Sequence, residues 1–312
     1  MGVLINGEWK VEVVNPKTTD GEFNRQASVF RSHLSSDSAA RFAAESGRYI
    51  LYVSHACPWA HRAVIFRHLK SLQDHIPLMV VHPVMGPSGW SFNLADGVIP
   101  DTVNHCLYLK DLYVMADPDY TGRVTVPILW DTVHKTIVSN ESADIIRMFN
   151  SAFNHITGNS DDFYPAEKRS LIDKVNDFVY HHINNGVYKT GFATTQIAYE
   201  KNVDQLFKAL DEIESLLENT PFLTGQSVTE ADWRLFTTLV RFDAVYYGHF
   251  KCNIKHIWDY KHIDIFMKRL ISWPGIRETI NMDHIQTHYY ASHTNINPSA
   301  IVPVGPALSW LN

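Results

Sequence analysis

Cys57 is the residue whose setting could do chemistry. It lies in Ser54-His55-Ala56-Cys57-Pro58-Trp59-Ala60-His61-Arg62. The preceding run, Tyr49-Ile50-Leu51-Tyr52-Val53, is apolar, β-branched and aromatic and reads as a buried strand. After it, Val64, Ile65, Phe66 and Leu69 fall at helical spacing. Pro58 fits the first helical turn, where its missing N–H has no intrahelical partner. Cys57 therefore sits at a strand-to-helix corner, against the helix N-terminus, whose dipole and unpaired N–H donors favour a thiolate over a thiol.

This corner resembles the redox corner of thioredoxin folds, Cys-Pro-x-Cys, with Ala60 in place of the second cysteine. No thiol in the motif can resolve a disulfide. Attack by Cys57 on a sulfur would stop at a mixed disulfide and wait for an external thiol, of which glutathione is the usual cellular one. A Cys57–His61 hydrolase pair, four residues apart on one helix, is the rival chemistry; it leaves the strand and helix signals further on unexplained. Cys106 and Cys252 have no such context and read as buried structural thiols.

The elements that must position Cys57 can be read around it. A length of 312 residues suggests two domains, and 45% hydrophobic residues supply a sizeable core. The net charge of −6 gives no footprint for nucleic acid or an anionic membrane. The first ten residues carry no basic, apolar signal segment, and no long apolar run suggests a membrane span. Three cysteines in this length argue for a reducing compartment, and a cytoplasmic protein is expected. Seventeen histidines include the spaced set His284, His288 and His293 and the pair His181-His182, but no His-Glu-x-x-His or Cys-x-x-Cys occurs, and no metal site is expected.

In order, residues 1–47 read as a polar, irregular extension with turn signals at Asn6-Gly7, Asn15-Pro16 and Asp20-Gly21. Leu78–Val81 reads as a strand parallel to the first, completing a β-α-β unit. A long excursion from 83 to 122 carries Trp90 and an expected helix over Leu107–Tyr113. Arg123–Asp131 reads as a strand containing Pro127, Thr136–Val138 as its hairpin partner, and Asn140 as the N-cap of a helix with Ile145, Ile146, Met148 and Phe149 inward. A helix N-terminus with a hydroxyl such as Ser142 suits a carboxylate.

This order predicts a thioredoxin-like α/β domain over 48–157, a polar linker, an all-helical domain over 163–287 and a turn-rich tail over 288–312. In the helical part, Leu171, Val175, Phe178 and Val179 are expected to share a face before Asn184-Asn185-Gly186 breaks the helix. Val203 to Leu217 predicts a long amphipathic helix. Thr229-x-x-Asp232 has the capping-box form.

A thioredoxin-like half followed by an all-helical half looks like the cytosolic glutathione transferase architecture, and cysteine at the corner leaves its cysteine-using types. The longer motif Ala56-Cys57-Pro58-Trp59-Ala60-His61-Arg62 resembles the xi class, the glutathionyl-hydroquinone reductases. So do Gly122-Arg123-Val124-Thr125-Val126-Pro127, Ile137-Val138-Ser139-Asn140-Glu141-Ser142 and Asn184 through Ala193. Arg241-Phe242-Asp243, Asp283-His284-Ile285 with His288-Tyr289, and Asn297-Pro298 to Gly305-Pro306 extend the resemblance over roughly residues 25–306. The pattern departs at His55, where the family favours an apolar or aromatic residue.

The resemblance implies residue roles. Cys57 would be the nucleophile. Trp90, Arg123, Val124, Thr125, Val126, Pro127, Glu141 and Ser142 would hold glutathione as co-substrate, with Val126–Pro127 in the cis form. Tyr188 would give the proton, and Tyr246 and Tyr289 would support the thiolate. The implied activity is reduction of glutathionyl-hydroquinones to hydroquinones by a cytoplasmic homodimer, with oxidised glutathione released. Two alternatives share the sequence signals: a general thioltransferase or dehydroascorbate reductase of omega type, and a non-catalytic interaction module on the same fold.

Overall fold

The computed structural model describes residues 2–11, 20–308 and 310, and the chain divides into two compact units. The first comprises residues 1–15, 26–161 and 281–292. It begins with an antiparallel hairpin, β1 (Gly2–Ile5) and β2 (Glu8–Val11), closed by Asn6-Gly7 with φ of 49° and 75°. Positive φ at both central residues gives the turn whose twist matches a two-residue hairpin. The polar extension expected over residues 1–47 thus starts with regular structure. Short strands carrying Glu8 and Lys10 on the exposed side hid it.

The main sheet is four-stranded, in the order β4 (Leu78–Val80), β3 (Tyr49–Val53), β5 (Ile128–Asp131), β6 (Thr136–Ser139). β3 runs parallel to β4 and antiparallel to β5, and β5 and β6 form a hairpin. All five residues of β3 are buried, as a central strand covered on both faces requires. Between β3 and β4 lies α1 (Pro58–Leu69), and α2 (Leu109–Ala116) precedes β5. α3 (Ser142–Ser151) follows β6, with the short α4 (Asn154–Thr157) after it. Arg48 grips Asp131 at the sheet end with bonds of 2.8 and 2.9 Å, both side chains buried. The β-α-β and β-β-α order matches the thioredoxin-like expectation.

Two expected elements are shorter or shifted. The strand expected over Arg123–Asp131 forms a ladder only from Ile128. Pro127 has no N–H to give, and both backbone groups of Thr125 are taken by the Tyr113 hydroxyl. The helix expected over Leu107–Tyr113 starts at Leu109, because the Tyr108 amide donates to Asp111 in a capping box and the Leu107 carbonyl accepts from Phe92.

The second unit, residues 16–25, 162–280 and 293–312, is helical. It contains α5 (Arg169–Val179), α6 (Gly186–Gly191), α7 (Gln196–Asn219), α8 (Glu230–Arg241) and α9 (Lys261–Ile271). α7 buries Val203, Leu206, Phe207, Leu210, Ile213 and Leu217 along one stripe. The capping box at Thr229 is present: Asp232 accepts from the Thr229 amide at 2.7 Å and from Leu223 at 2.8 Å.

The face of α5 is not the expected one. Leu171 is exposed, while Ile172, Asn176 and Val179 are buried, with Asn176 donating to Glu230 at 2.7 Å. Asn184-Asn185-Gly186 does not break the helix either. Tyr180–Asn184 widens to π geometry and continues into α6, with Asn184 Nδ2 donating to the Arg234 carbonyl and to Thr238 Oγ1. Phe242–Tyr246 is a second π segment, continuing α8. The last helix, α10 (Met282–Ser292), belongs to the first unit and runs through His288, where turn formers were expected to begin. Among the described residues no helix is long and apolar enough to cross a membrane.

Candidate active site

Cys57 is the N-cap residue of α1, with Pro58 in the first turn and no side-chain capping bond. Its amide donates to the Ser54 carbonyl at 3.1 Å, and Ser54 Oγ accepts from Ala56 N–H at 3.2 Å, which closes the turn tightly after β3. The thiol is partly exposed and faces the Val126 carbonyl, Sγ to O 3.7 Å. The Val126–Pro127 peptide is cis, as the resemblance implied. The corner therefore holds one thiol opposite the carbonyl that precedes a cis proline.

Cys106 and Cys252 are buried. Burial pushes the Cys106 thiol up to about 12, with Asp101 adding to the effect. Burial raises the Cys252 thiol further still. Neither can supply thiolate near neutral pH.

Around the corner, Arg123 and Val124 are partly exposed, Thr125 is exposed, and Val126 and Pro127 are buried. Tyr113, on α2, sets this segment. Its hydroxyl donates to the Thr125 carbonyl at 2.9 Å and accepts from the Thr125 amide at 3.1 Å and from Asn140 Nδ2 at 3.1 Å. Sequence reasoning passed over Tyr113, whose role rests entirely on tertiary hydrogen bonds.

At the α3 N-terminus the expected cap is displaced by one residue. Asn140 is not the N-cap; its Oδ1 accepts from the Phe30 amide at 3.2 Å and its Nδ2 serves Tyr113. Glu141 caps the helix, accepting from Ala143 N–H at 3.1 Å, and its other oxygen accepts from Ser28 Oγ at 3.0 Å. Ser142, the first helical residue, is buried. A hydroxyl at a helix N-terminus offers donors to a carboxylate.

Trp90 is buried and stacks on His288 of α10, ring centroids 4.7 Å apart. His288 Nδ1–H donates to the Pro83 carbonyl at 2.9 Å, which fixes the ring plane. Tyr289, next to it, is buried in the same unit. His55 lies edge-on to His284 at 5.5 Å, and His284 Nε2–H donates to the Asp96 carbonyl at 2.6 Å.

Tyr188 and Tyr246 belong to the helical unit. Their rings lie 6.0 Å apart, and Phe250 stacks on Tyr246 at 5.5 Å and meets Tyr188 edge-on at 5.5 Å. The Arg25 guanidinium sits 4.8 Å above the Tyr188 ring and donates to Asn185 Oδ1 at 2.7 Å. Tyr246 ends one π segment and Tyr188 follows the other by a turn. Such widened turns recur at functional sites.

Comparison with known proteins agrees with this architecture. The family model described as glutathione S-transferase, N-terminal domain, matches residues 56–152, and that for the C-terminal domain matches residues 196–275. The chain is 50% identical over 98% of its length to the glutathionyl-hydroquinone reductase PcpF of Sphingobium chlorophenolicum, covering 97% of that protein. It is 49% identical to the glutathionyl-hydroquinone reductase YqjG of Escherichia coli, over 98% of this chain and 95% of that one. Among solved structures, a xi-class glutathione transferase from Natrialba magadii superposes with a TM-score of 0.93 at 45% identity, over 99% of this chain and 94% of that one. The glutathione-bound YqjG structure gives 0.91 at 45% identity, over 100% and 97%. With one reactive-corner cysteine, a cis proline facing it and relatives matched along nearly the whole chain, this protein belongs to the xi-class glutathione transferases, the glutathionyl-hydroquinone reductase family.

Proposed function

We propose that the protein reduces glutathionyl-hydroquinones to hydroquinones with glutathione as co-substrate. The observation that carries this is the monothiol corner: Cys57 at the α1 N-terminus, Ala60 where a resolving cysteine would stand, and Sγ 3.7 Å from the Val126 carbonyl. The relatives named as glutathionyl-hydroquinone reductases choose the acceptor.

Cys57 thiolate attacks the sulfur of the adduct. An S–S bond forms, the aryl C–S bond breaks, and the electron pair of that bond stays on the ring carbon, which takes a proton. The products are hydroquinone and a Cys57–glutathione disulfide. A second glutathione thiolate then attacks the glutathione sulfur and restores Cys57, releasing oxidised glutathione. The ring carbon gains the two electrons that the two glutathione sulfurs lose.

In this reading the Val126 backbone pairs with the peptide of glutathione. Ser142 and the α3 N-terminus take its γ-glutamyl carboxylate, and Glu141 its ammonium. Trp90 and Arg123 flank it, with Val124, Thr125 and Pro127 shaping the segment. Tyr188 supplies the proton, and Tyr246 and Tyr289 support the thiolate by hydrogen bonding. The reading extends to a cytoplasmic homodimer, as the resemblance implies, and light scattering of the purified protein should then give twice 35.7 kDa.

The test offers three substrates to one preparation: a glutathionyl-hydroquinone, a glutathione mixed disulfide and chlorodinitrobenzene. The hydroquinone adduct should be turned over fastest per active site, and Cys57→Ser should abolish that turnover. Preference for the mixed disulfide would make the protein a general thioltransferase instead.

A further inference from the structure

The amino-terminal hairpin touches residues that lead into two segments the proposed function assigns to glutathione. Leu4 is buried, and it exchanges both backbone hydrogen bonds with Gly122, N to O 3.0 Å and O to N 2.9 Å. Gly122 immediately precedes Arg123. On the other strand, Trp9 Nε1–H donates to the Pro87 carbonyl at 2.9 Å. The Trp9 ring also covers Gly89, the residue before Trp90. Gly89 has φ of +83°, and a Cβ there would stand 3.0 Å from the ring. Lys110 Nζ lies 5.1 Å from the same ring.

The same loop is also held by α10. His288 stacks on Trp90 and bonds the Pro83 carbonyl, while Ser292 Oγ accepts from the Met85 amide at 2.9 Å. The Trp90 loop is thus held by two elements far apart in the sequence, the hairpin and α10. On the hairpin side, one side chain supplies the hydrogen bond to the turn and the cover over it.

We propose that Trp9 is a positioning residue for glutathione: through Pro87 and Gly89 it fixes the loop that presents Trp90, while Leu4 of the same hairpin fixes the start of the Arg123–Pro127 segment. This rests on the assignment of Trp90 and Arg123–Pro127 to glutathione. A site held in its binding geometry before the ligand arrives spends less of the interaction on ordering itself. Loosening the loop therefore weakens binding without touching the thiol.

The experiment measures the dissociation constant for glutathione by titration calorimetry in a Cys57→Ser background, so that no disulfide forms, alongside Tm. Trp9→Ala should weaken binding about tenfold. Trp9→Phe, which keeps a smaller aromatic ring but loses the indole N–H and part of the cover over Gly89, should weaken it at least about threefold, the range of one hydrogen bond. Binding stoichiometry should stay at one per chain. Trp90→Ala is the control for the site itself. Unchanged affinity in both Trp9 variants, with Trp90→Ala weakened, overturns the positioning role alone. Reduced stoichiometry and Tm at unchanged affinity would show a merely structural hairpin and also overturns it. Unchanged affinity in Trp90→Ala removes the site assignment, and the role of Trp9 falls with it. Should Trp9→Ala fail to fold, Trp9→Phe decides.

Discussion

The hydroxyl of Tyr113 holds both backbone groups of Thr125, donating to its carbonyl at 2.9 Å and accepting from its amide at 3.1 Å. A phenol in a helix thereby substitutes for a neighbouring strand, just before the chain passes Cys57 and enters the β5 ladder. Asn140 adds a third bond to the same oxygen, so the Thr125 segment and the approach to the α3 N-terminus share one anchor.

Tyr113→Phe should therefore cost both stability and affinity. It removes the partner of the N–H and C=O of exposed Thr125 and leaves the buried Asn140 side-chain amide short of an acceptor, at about 1–3 kcal/mol for a buried group left unpaired. Urea unfolding should show that loss. The dissociation constant for glutathione should rise several-fold in the folded protein. Unchanged values in both would mean that the segment is held elsewhere.

What was legible in the sequence was local. Strand, cysteine, proline and helix follow one another over Tyr49–Leu69, and each signal lies within a few residues of the next. The Thr229–Asp232 box and the long stripe of α7 are legible for the same reason. Tyr113 was not, because its partners lie 12 and 27 positions away and only folding brings them together. The two π segments are equally invisible: no composition marks a widened turn, and Asn184 is held by groups on α8. Asn140 shows the opposite error, a residue with the right chemistry for a cap that the fold employs elsewhere.

The thiols should separate cleanly by reactivity. Incubation with oxidised glutathione should add a single glutathione, on Cys57, because burial holds Cys106 at about 12 and raises Cys252 beyond reach. Peptide mass spectrometry should find the adduct there alone. Cys106 and Cys252 should react with iodoacetamide only after denaturant is added. An internal disulfide from Cys57 would contradict the monothiol cycle.

His249 predicts a pH dependence of stability. It is buried beside His293, Nε2 to Nδ1 3.2 Å. Burial, with Lys251 adding to it, lowers its pKa from 6.5 to about 4. The unfolded chain therefore takes up a proton between these values that the folded one refuses. The stabilising contribution is present above pH 6.5 and is lost as pH falls toward 4. Between about pH 7.5 and 5.5 the loss should be roughly 1 kcal/mol. His249→Gln, compared with wild type in urea at both pH values, should show a shallower dependence by that amount. Parallel curves would mean that His249 takes up its proton as readily in the folded protein as in the unfolded chain.

The last expectation separates hydroquinone release from disulfide reduction. Reducing a mixed disulfide expels a thiolate, a good leaving group that needs little help from an acid. Releasing a hydroquinone leaves electrons on a ring carbon, and that step needs a proton as the bond breaks. A general acid is worth about 10²–10⁴-fold where it is needed and nearly nothing where it is not. Tyr188 is packed among Phe23, Phe192, Tyr246 and Phe250, so Tyr188→Phe leaves an apolar ring among apolar rings and takes away only the hydroxyl. Hydroquinone formation should slow at least tenfold, with disulfide reduction by the same protein within a few-fold of wild type. Cys57→Ser should abolish both. Equal losses from Tyr188→Phe in the two reactions would make its hydroxyl a support for Cys57 or glutathione rather than the proton source, and no loss in either would leave it a packing residue of the helical unit.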